Sequence, residues 1–219
     1  MPNPKWLEWA NRIQAIAQNG LAYTEGPFDV ERYHALRRLA AEIVADHTAV
    51  AIDDVHDLFA RQTGYTTPKV DVRGAVFRDG KVLLVRERSD GCWTLPGGWV
   101  DIYDPPSAAV EREILEESGY RARAIKLAAL WDRDAHGAPP NEFHIYKAAF
   151  ICELIDDTPL PVTGDPASAK PATENIETDG VDWFSPDALP PLSLTRIMPD
   201  QIARLFDHAR QMDLPADFD

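Results

Sequence analysis

Within six residues the chain places Arg112, Glu113, Glu116 and Glu117, in the run REILEESG that stops at Gly119. At about 100° per residue the three glutamates share one helical arc roughly 100° wide. Val110 and Ile114 lie beside that arc and face a core. Such a cluster works against local preference. Like charges four residues apart repel, and carboxylates in the last turns meet the negative end of the helix dipole. A compensating cation would offset both. Carboxylate oxygens are hard ligands that suit Mg²⁺ or Mn²⁺. The competing reading is a solvated helix face on which Arg112 supplies part of the pairing.

The cluster requires a helix, and its flanks provide one. Pro105 and Pro106 suit a first turn, and Gly119 suits the position just past the end. Before it, KVDVRGAVF (69–77) reads as a strand, Arg78-Asp79-Gly80 as a turn and KVLLVRER (81–88) as the returning strand. Cys92 to Leu95 is a short extended run ended by Pro96. After the helix, YRARAIKLAALWDRD (120–134) reads as one or two strands and FHIYKAAFICELI (143–155) as a long apolar one. Residues 156–172 read as an exposed loop. Val181 to Phe184 is a last short strand, Asp187 to Leu189 suggests a turn of helix, and PDQIARLFDHARQM (199–212) is an amphipathic helix. The acidic tail LPADFD is expected to fray. Strands interrupted by one central helix and closed by another give an α+β, layered α/β/α domain over 67–219.

The first 66 residues have no strand pattern. Trp6, Leu7, Ala10, Ile13 and Ala17 recur at helical spacing up to a stop at Asn19-Gly20. Asp29 is placed to cap a second helix through about Asp46, and Asp53 begins a third that ends at Gly64. Trp6 and Trp9 are read as core, and His34, His47 and His56 as ordinary surface or core residues. So few helices bury little, and the unit is expected to pack on the next domain or on a second copy.

The 219 residues carry a formal net charge of -14, with 45% hydrophobic and 26% charged residues. That balance argues against broad attraction to nucleic acid or anionic membrane. Cys92 and Cys152, the two cysteines, are read as buried free thiols and fit a reducing, cytoplasmic setting. The start has no basic-then-apolar signal pattern, and no stretch reaches membrane-spanning length.

The spacing Gly98-x5-Asp104-x7-Arg112-Glu113-Ile114-x-Glu116-Glu117-x-Gly119-Tyr120 closely resembles the box of the Nudix hydrolases. Asp104 stands where the family usually has Glu, and Tyr120 where it usually has an aliphatic residue. Asp104 is read as local support for the loop and helix start. WLEWANRIQAIAQNGLAYTEGPFDVERYHALRRLAAEIVA resembles the helical N-terminal domain of a bacterial subset whose members resemble CDP-choline and ADP-ribose pyrophosphatases. LPPLSLTRIMPDQI is also similar to that subset. The resemblance implies an α/β/α Nudix sandwich with a mixed sheet, a small all-helical N-terminal domain, and a homodimer formed through those helices.

It also implies metal-dependent hydrolysis of a nucleoside diphosphate linked to another group, with CDP-choline ranked before ADP-ribose. A non-catalytic nucleotide-binding regulator is the alternative of a different class, and the intact REILEE argues against it. The implied metal ligands are Glu113, Glu116 and Glu117 with the main-chain carbonyl of Gly97, where Gly97-Gly98 permits close backbone approach. Arg112 would hold the carboxylates by ion pairing. Glu174, Glu177 and Asp179 are candidates for a general base outside the box, with Glu177 favoured among them; for each taken alone, a solvated loop charge is the better reading. Arg86 matches a phosphate-contacting position, or is simply an exposed strand-end arginine. Trp131, Arg133, His136 and Phe143 flank a loop that could line the pocket for the base or the linked group. For Phe143, core packing is the better reading.

Overall fold

A computed structural model describes residues 4–141, 143–160 and 177–219. The chain divides into two compact units, Met1–Pro68 with Pro140–Phe143, and Lys69–Pro139 with His144–Asp219.

The first unit holds three helices, α1 (Lys5–Tyr23), α2 (Pro27–His47) and α3 (Ile52–Arg61). The expected stop at Asn19-Gly20 does not occur, and α1 runs on to Tyr23. Packing is the reason. A Cβ on Gly20 would overlap the Tyr33 ring, so the glycine lets the α2 aromatic lie directly on α1. Nor does Asp29 cap α2. Pro27 opens that helix after Gly26, and Asp29 sits in its first turn, 2.7 Å from Arg32. The core is small: Ala40, Ala41, Val55 and Phe59. Buried Gln14 and Gln18 extend it by donating to the Phe59 and Gly64 carbonyls at 3.4 and 3.0 Å. Trp6 stacks on His47. Trp9, read as core from its spacing, is 56% exposed. It shares the 7-residue spacing Trp9, Ile16, Tyr23 along α1, and all three are exposed.

The second unit is a sheet between two helices. In sequence it runs β1 (Lys69–Arg78), β2 (Lys81–Glu87), β3 (Trp93–Thr94), α4 (Pro106–Ser118), β4 (Ala122–Asp132), a 3-10 turn Arg133–His136, β5 (Ile145–Leu154), β6 (Thr178–Phe184), α5 (Pro199–Arg210) and β7 (Asp217–Phe218). Strand order is β3-β2-β1-β5-β4-β7, with β6 also on β2. Among them, β1–β5 and β4–β7 are parallel and the rest antiparallel, so the sheet is mixed. Alternation along β1 sends Val72 and Val76 to the α4 side with Val110 and Ile114, and Ala75 to the α5 side with Ile202, Leu205 and Phe206. α4 rests directly on β1, because a Cβ on Gly74 would lie 2.6 Å from Ile114 Cδ1.

One feature of β1 positions the site. It pairs with β2 only at Phe77 and Arg78, yet with β5 from Lys69 to Val76. The edge thus left beside β2 is taken by the loop before α4. Gly74 N–H donates to Pro96 O (2.8 Å), Val72 N–H to Gly98 O (2.9 Å), and Val100 N–H to Val70 O (3.1 Å).

Three local expectations are corrected. Asp187 to Leu189 forms a turn without helix. Cys92 is only half-buried, whereas Cys152 is buried and its thiol is pushed up to about 12, first by burial and then by Glu111. The acidic tail does not fray: Asp217 and Phe218 pair with Ala129 and Leu130 as β7. Asp217 accepts from Arg204 at 2.6 and 2.8 Å. Lys126 donates to Nδ1 of the fully buried His208 (3.0 Å), which leaves Nε2–H to donate to Asp217 (3.1 Å). Charge that looks solvated in the sequence is thus consumed in tying the tail to α5.

Candidate active site

The box residues converge where α4 ends against the Pro96–Val100 loop. Gly119, at φ 75°, terminates the helix in the left-handed conformation that glycine adopts without a Cβ penalty. Glu117 lies on the buried side of the last turn, and its Oε2 accepts from Gly97 N–H at 3.0 Å. Gly97 itself has φ 144°, and a Cβ there would overlap the Val72 carbonyl oxygen. The Glu113 carboxylate lies against Gly98, 3.3 Å from where a Cβ would stand. Two acceptor-only side chains therefore face the same glycine pair.

Arg112 lies alongside, with Nη1 2.9 Å from Glu113 and 3.1 Å from Glu116 and Nη2 3.6 Å from Asp104 and 3.9 Å from Asp101. It ties both ends of the loop-helix segment together. Asp104 thus serves the loop by facing Arg112. It does not cap the helix, whose N-cap is Pro105 with no side-chain bond.

The electrostatics are unusual for carboxylates. Burial pushes Glu117 up to about 8, against the opposing pull of Arg73 and the Gly97 N–H, and neighbouring Glu113 and Glu87 add to the rise. Glu113 is raised too, first by burial, with Glu116 and Glu177 adding to it. Beneath them Arg73 donates to Asp71 (2.9 and 3.1 Å) and to Leu95 O (3.2 Å), while Lys147 donates to the same Asp71. Burial alone would raise Asp71; Arg73 and Lys147 outweigh it and hold the carboxyl below its usual range. Arg73 is thereby fixed as a buried cation facing Glu117 and Glu87.

Desolvated, mutually repelling carboxylates with only oxygen donors fit a hard divalent cation. Glu113 and Glu117 would hold it at the Gly97-Gly98 turn. The expected third ligand, Glu116, is drawn toward Arg112. Among the described residues no three acidic, histidine or cysteine side chains converge closely enough to enclose an ion. The three glutamates therefore share an arc without forming a ready-made cage.

Other expected residues divide sharply. Glu177 is exposed, its carbonyl accepts from Arg88 N–H (2.8 Å), and its charge bears on Glu113 and Glu87. Glu174 lies outside the described residues. Arg86 pairs with Asp179 at 2.7 Å and stands over the Trp93 ring at 6.0 Å, on the exposed rim. Arg133 does not face a pocket. Its side chain is 1% exposed, and it donates to Thr195 O (3.2 Å) and Pro139 O (2.6 Å) as a strut between two loops. Trp131 is buried within the core on the α5 side, with His136 beside it. Phe143 is half-buried.

Two residues that sequence reasoning did not single out also join the site. Glu87, at a bulge where the β2–β6 register shifts, is buried and 2.9 Å from Arg196. Buried Thr178 donates from Oγ1 to the Glu117 carbonyl (3.3 Å), linking the start of β6 to the last turn of α4. A bulge commonly re-aims side chains beside active sites. The visible signal was a charged residue ending an apolar strand, VLLVRE, and this alone does not distinguish rim from interior.

Comparison with known proteins accords with this geometry. Residues 67–205 match the NUDIX domain, and residues 4–59 match a UDP-X-like, N-terminal oligomerisation domain. A Bacillus subtilis protein provisionally named an ADP-ribose pyrophosphatase is 43% identical over 98% of this chain and 97% of its own. The crystal structure of an ADP-ribose pyrophosphatase from Streptococcus suis superimposes with TM-score 0.58 at 32% identity, covering 70% of this chain and 100% of that one. A UDP-X diphosphatase crystal structure gives TM-score 0.57 at 29% identity, covering 100% of both chains. The chain belongs to the Nudix hydrolases: it is a Nudix pyrophosphohydrolase with a UDP-X-like helical domain at its N-terminus.

Proposed function

We propose that this protein hydrolyses the pyrophosphate bond of a nucleoside diphosphate linked to another group, with Mg²⁺ or Mn²⁺ held by Glu113 and Glu117 and Glu116 completing the set. The observation that carries the reading is the buried Glu117 carboxylate against Gly97 N–H, with Glu113 on the adjoining glycine. When bound, a divalent cation neutralises charge on the pyrophosphate and lowers the pKa of coordinated water. The chain's own residues perform the remaining tasks. Arg73 and the Gly97 N–H counter the Glu117 charge, and Arg112 orients Glu113 and Glu116. Glu177, whose charge bears on Glu113 and Glu87, is the proton acceptor in this reading. Arg86 on the rim contacts phosphate.

The sequence resemblance ranks CDP-choline first. The names of the full-length relatives now favour ADP-ribose, followed by UDP-linked compounds, with CDP-choline third. The exposed Trp9, Ile16, Tyr23 stripe supports a homodimer through α1. The test is to incubate the purified chain and its Glu117→Gln variant with Mg²⁺ and each of ADP-ribose, a UDP-sugar and CDP-choline, and to identify the products. Turnover of at least one, abolished in the variant, is expected. No turnover of any compound would sink the reading, and full activity in Glu117→Gln would sink the metal assignment.

A further inference from the structure

We propose that Arg196 is a positioning residue for the hydrolysis: it holds the buried Glu87 carboxylate away from Arg73, and so keeps Arg73 as the counter-charge of Glu117. The inference rests on the proposed reaction and gives residues 189–196 (LPPLSLTR) a task in it. This run is a strap laid along the edge of the sheet. Trp93 N–H donates to Pro191 O (2.9 Å) and Ser193 N–H to Trp93 O (2.8 Å), so Leu192 lies parallel to β3. Ser193 is buried and donates from Oγ to Asp90 (2.7 Å), while Arg196 Nη1 donates to that same Oγ (3.1 Å). Arg196 Nη2 donates to Ser89 Oγ at 3.4 Å. These bonds fix the guanidinium at the β2–β3 turn, with Nε 2.9 Å from Glu87 Oε1. The Glu87 main chain is fixed as well. Its N–H donates to Cys92 O and its carbonyl accepts from Gly91 N–H, both at 2.9 Å. Which way its side chain turns is then decided by the cations within reach.

Two cations bear on Glu87. Burial raises its carboxyl, and Arg196 first and Arg73 second oppose that rise. Arg73 in turn faces Asp71, Glu117 and Glu87. Asp71 takes its Nε and Nη2, and Leu95 O takes its Nη1. Glu117 and Glu87 therefore share the field of one fixed guanidinium. Both are buried, where a charge without a counter-charge is costly. They are also near neighbours. Thr178, opposite Glu87 in the β2–β6 register, donates from Oγ1 to the Glu117 carbonyl (3.3 Å). With Arg196 removed, the remaining cation that bears on Glu87 is Arg73. The carboxylate then turns inward, Arg73 is shared, and a further negative charge moves toward Glu117. Neutralising Glu87 as well removes the competitor. A residue that merely fastened the strap would not show this reciprocity.

The test compares the wild-type chain with Arg196→Met, with Arg196→Met combined with Glu87→Gln, and with Ser193→Ala, each shown to be folded by its melting curve. Turnover is measured with Mg²⁺ and whichever nucleoside-diphosphate-linked compound the wild type hydrolyses. Arg196→Met is expected to lose about 10- to 100-fold in kcat with KM within about threefold, the scale for a residue that acts on a site through its supporting groups. The double variant should regain most of that loss, because the two changes are coupled through one contact. Ser193→Ala loosens the strap and leaves the Arg196–Glu87 pair in place, so melting should fall while kcat stays within about threefold. A crystal structure of Arg196→Met should show the Glu87 carboxylate within hydrogen-bond distance of Arg73. Unchanged kcat in folded Arg196→Met, no recovery in the double variant, or Glu87 unmoved in that crystal structure overturns the proposal. Losses of kcat that simply follow the melting temperature across all three variants overturn it too, and reduce Arg196 to a strut. A wild-type chain that hydrolyses none of the compounds refutes the proposed reaction, and the crystal structure then decides by itself whether Arg196 keeps Glu87 from Arg73.

Discussion

Replacing Gly97 by alanine should disable the enzyme although it removes no functional side chain. The new Cβ would overlap the Val72 carbonyl oxygen, which is main chain and cannot swing away, and φ 144° is unfavourable for any residue with a Cβ. The loop must leave the β1 edge. That forfeits the bonds from Gly74 to Pro96, Val72 to Gly98 and Val100 to Val70, at roughly 1 kcal/mol each. Backbone strain adds about 1–3 kcal/mol if the loop stays. Detachment therefore costs about 3 kcal/mol, and with it the Gly97 N–H moves away from Glu117. At about 2–4 °C per kcal/mol for a chain of this size, melting would fall by roughly 6–12 °C if the domain unfolds as one. If only the loop detaches, melting moves little but turnover still collapses, by at least about 100-fold. Gly98→Ala is the internal control, since its Cβ meets only the movable end of Glu113 at 3.3 Å. Its melting temperature should stay within about 2 °C. A Gly97→Ala protein that turns over within a few-fold of wild type would refute the argument that this backbone contact builds the site.

Four further outcomes follow from the geometry. In metal-free buffer, Glu117 costs stability as pH rises, because its folded pKa is lifted from 4.5 to about 8; the penalty is absent below about pH 4.5 and complete above about 8. Glu117→Gln should therefore raise the melting temperature of the metal-free protein at pH 8 and leave it unchanged at pH 4, and equal pH dependence in both proteins would contradict the burial argument. Thr178→Val removes the hydroxyl that reaches the Glu117 carbonyl, so kcat should fall about tenfold with KM little changed, while an unchanged kcat would separate β6 from the chemistry. Truncation after Asp213 removes Asp217 and its bonds to Arg204 and His208; a loss of about 1–3 kcal/mol in urea unfolding is expected, and no loss would mean that the tail is not structural. Trp9→Glu with Tyr23→Glu places charge on the exposed α1 stripe; if the proposed homodimer forms there, sedimentation should shift to monomer, whereas an unaltered oligomer would locate the interface elsewhere.

The contrast between what was legible in the sequence and what was not has a physical basis. The glutamates, their arginine and the Gly119 stop lie within one helix, where a 3.6-residue period translates spacing directly into geometry. The hairpin at Asp79-Gly80, with both residues at positive φ, is equally local. The failures involve contacts distant in sequence. Asn19-Gly20 carries an ordinary helix-stop signal, overruled by a Tyr33 ring that local propensity cannot register. LPADFD has a loop-like composition, but it becomes a strand because Arg204, His208 and the edge of β4 provide partners. Arg133 looks like a ligand-binding cation until Thr195 and Pro139, 62 and 6 residues away, are found to take its hydrogen bonds.

The same distinction explains how the box functions. On α4 alone, Glu113, Glu116 and Glu117 repel one another at the unfavourable end of a helix dipole, and burial worsens their position. Arg73 makes that arrangement tolerable, and its own burial is tolerable because Asp71 and Lys147 fix its charge in place. Arg73 and Asp71 come from β1, the strand whose open edge also binds the Pro96–Val100 loop. One strand thus supplies both the counter-charge beneath Glu117 and the backbone rail that puts Gly97 beside it. A helix carrying REILEE on another scaffold would reproduce the carboxylates and lose both supports. The motif therefore identifies the family, while β1 provides the environment in which its buried carboxylates are tolerated.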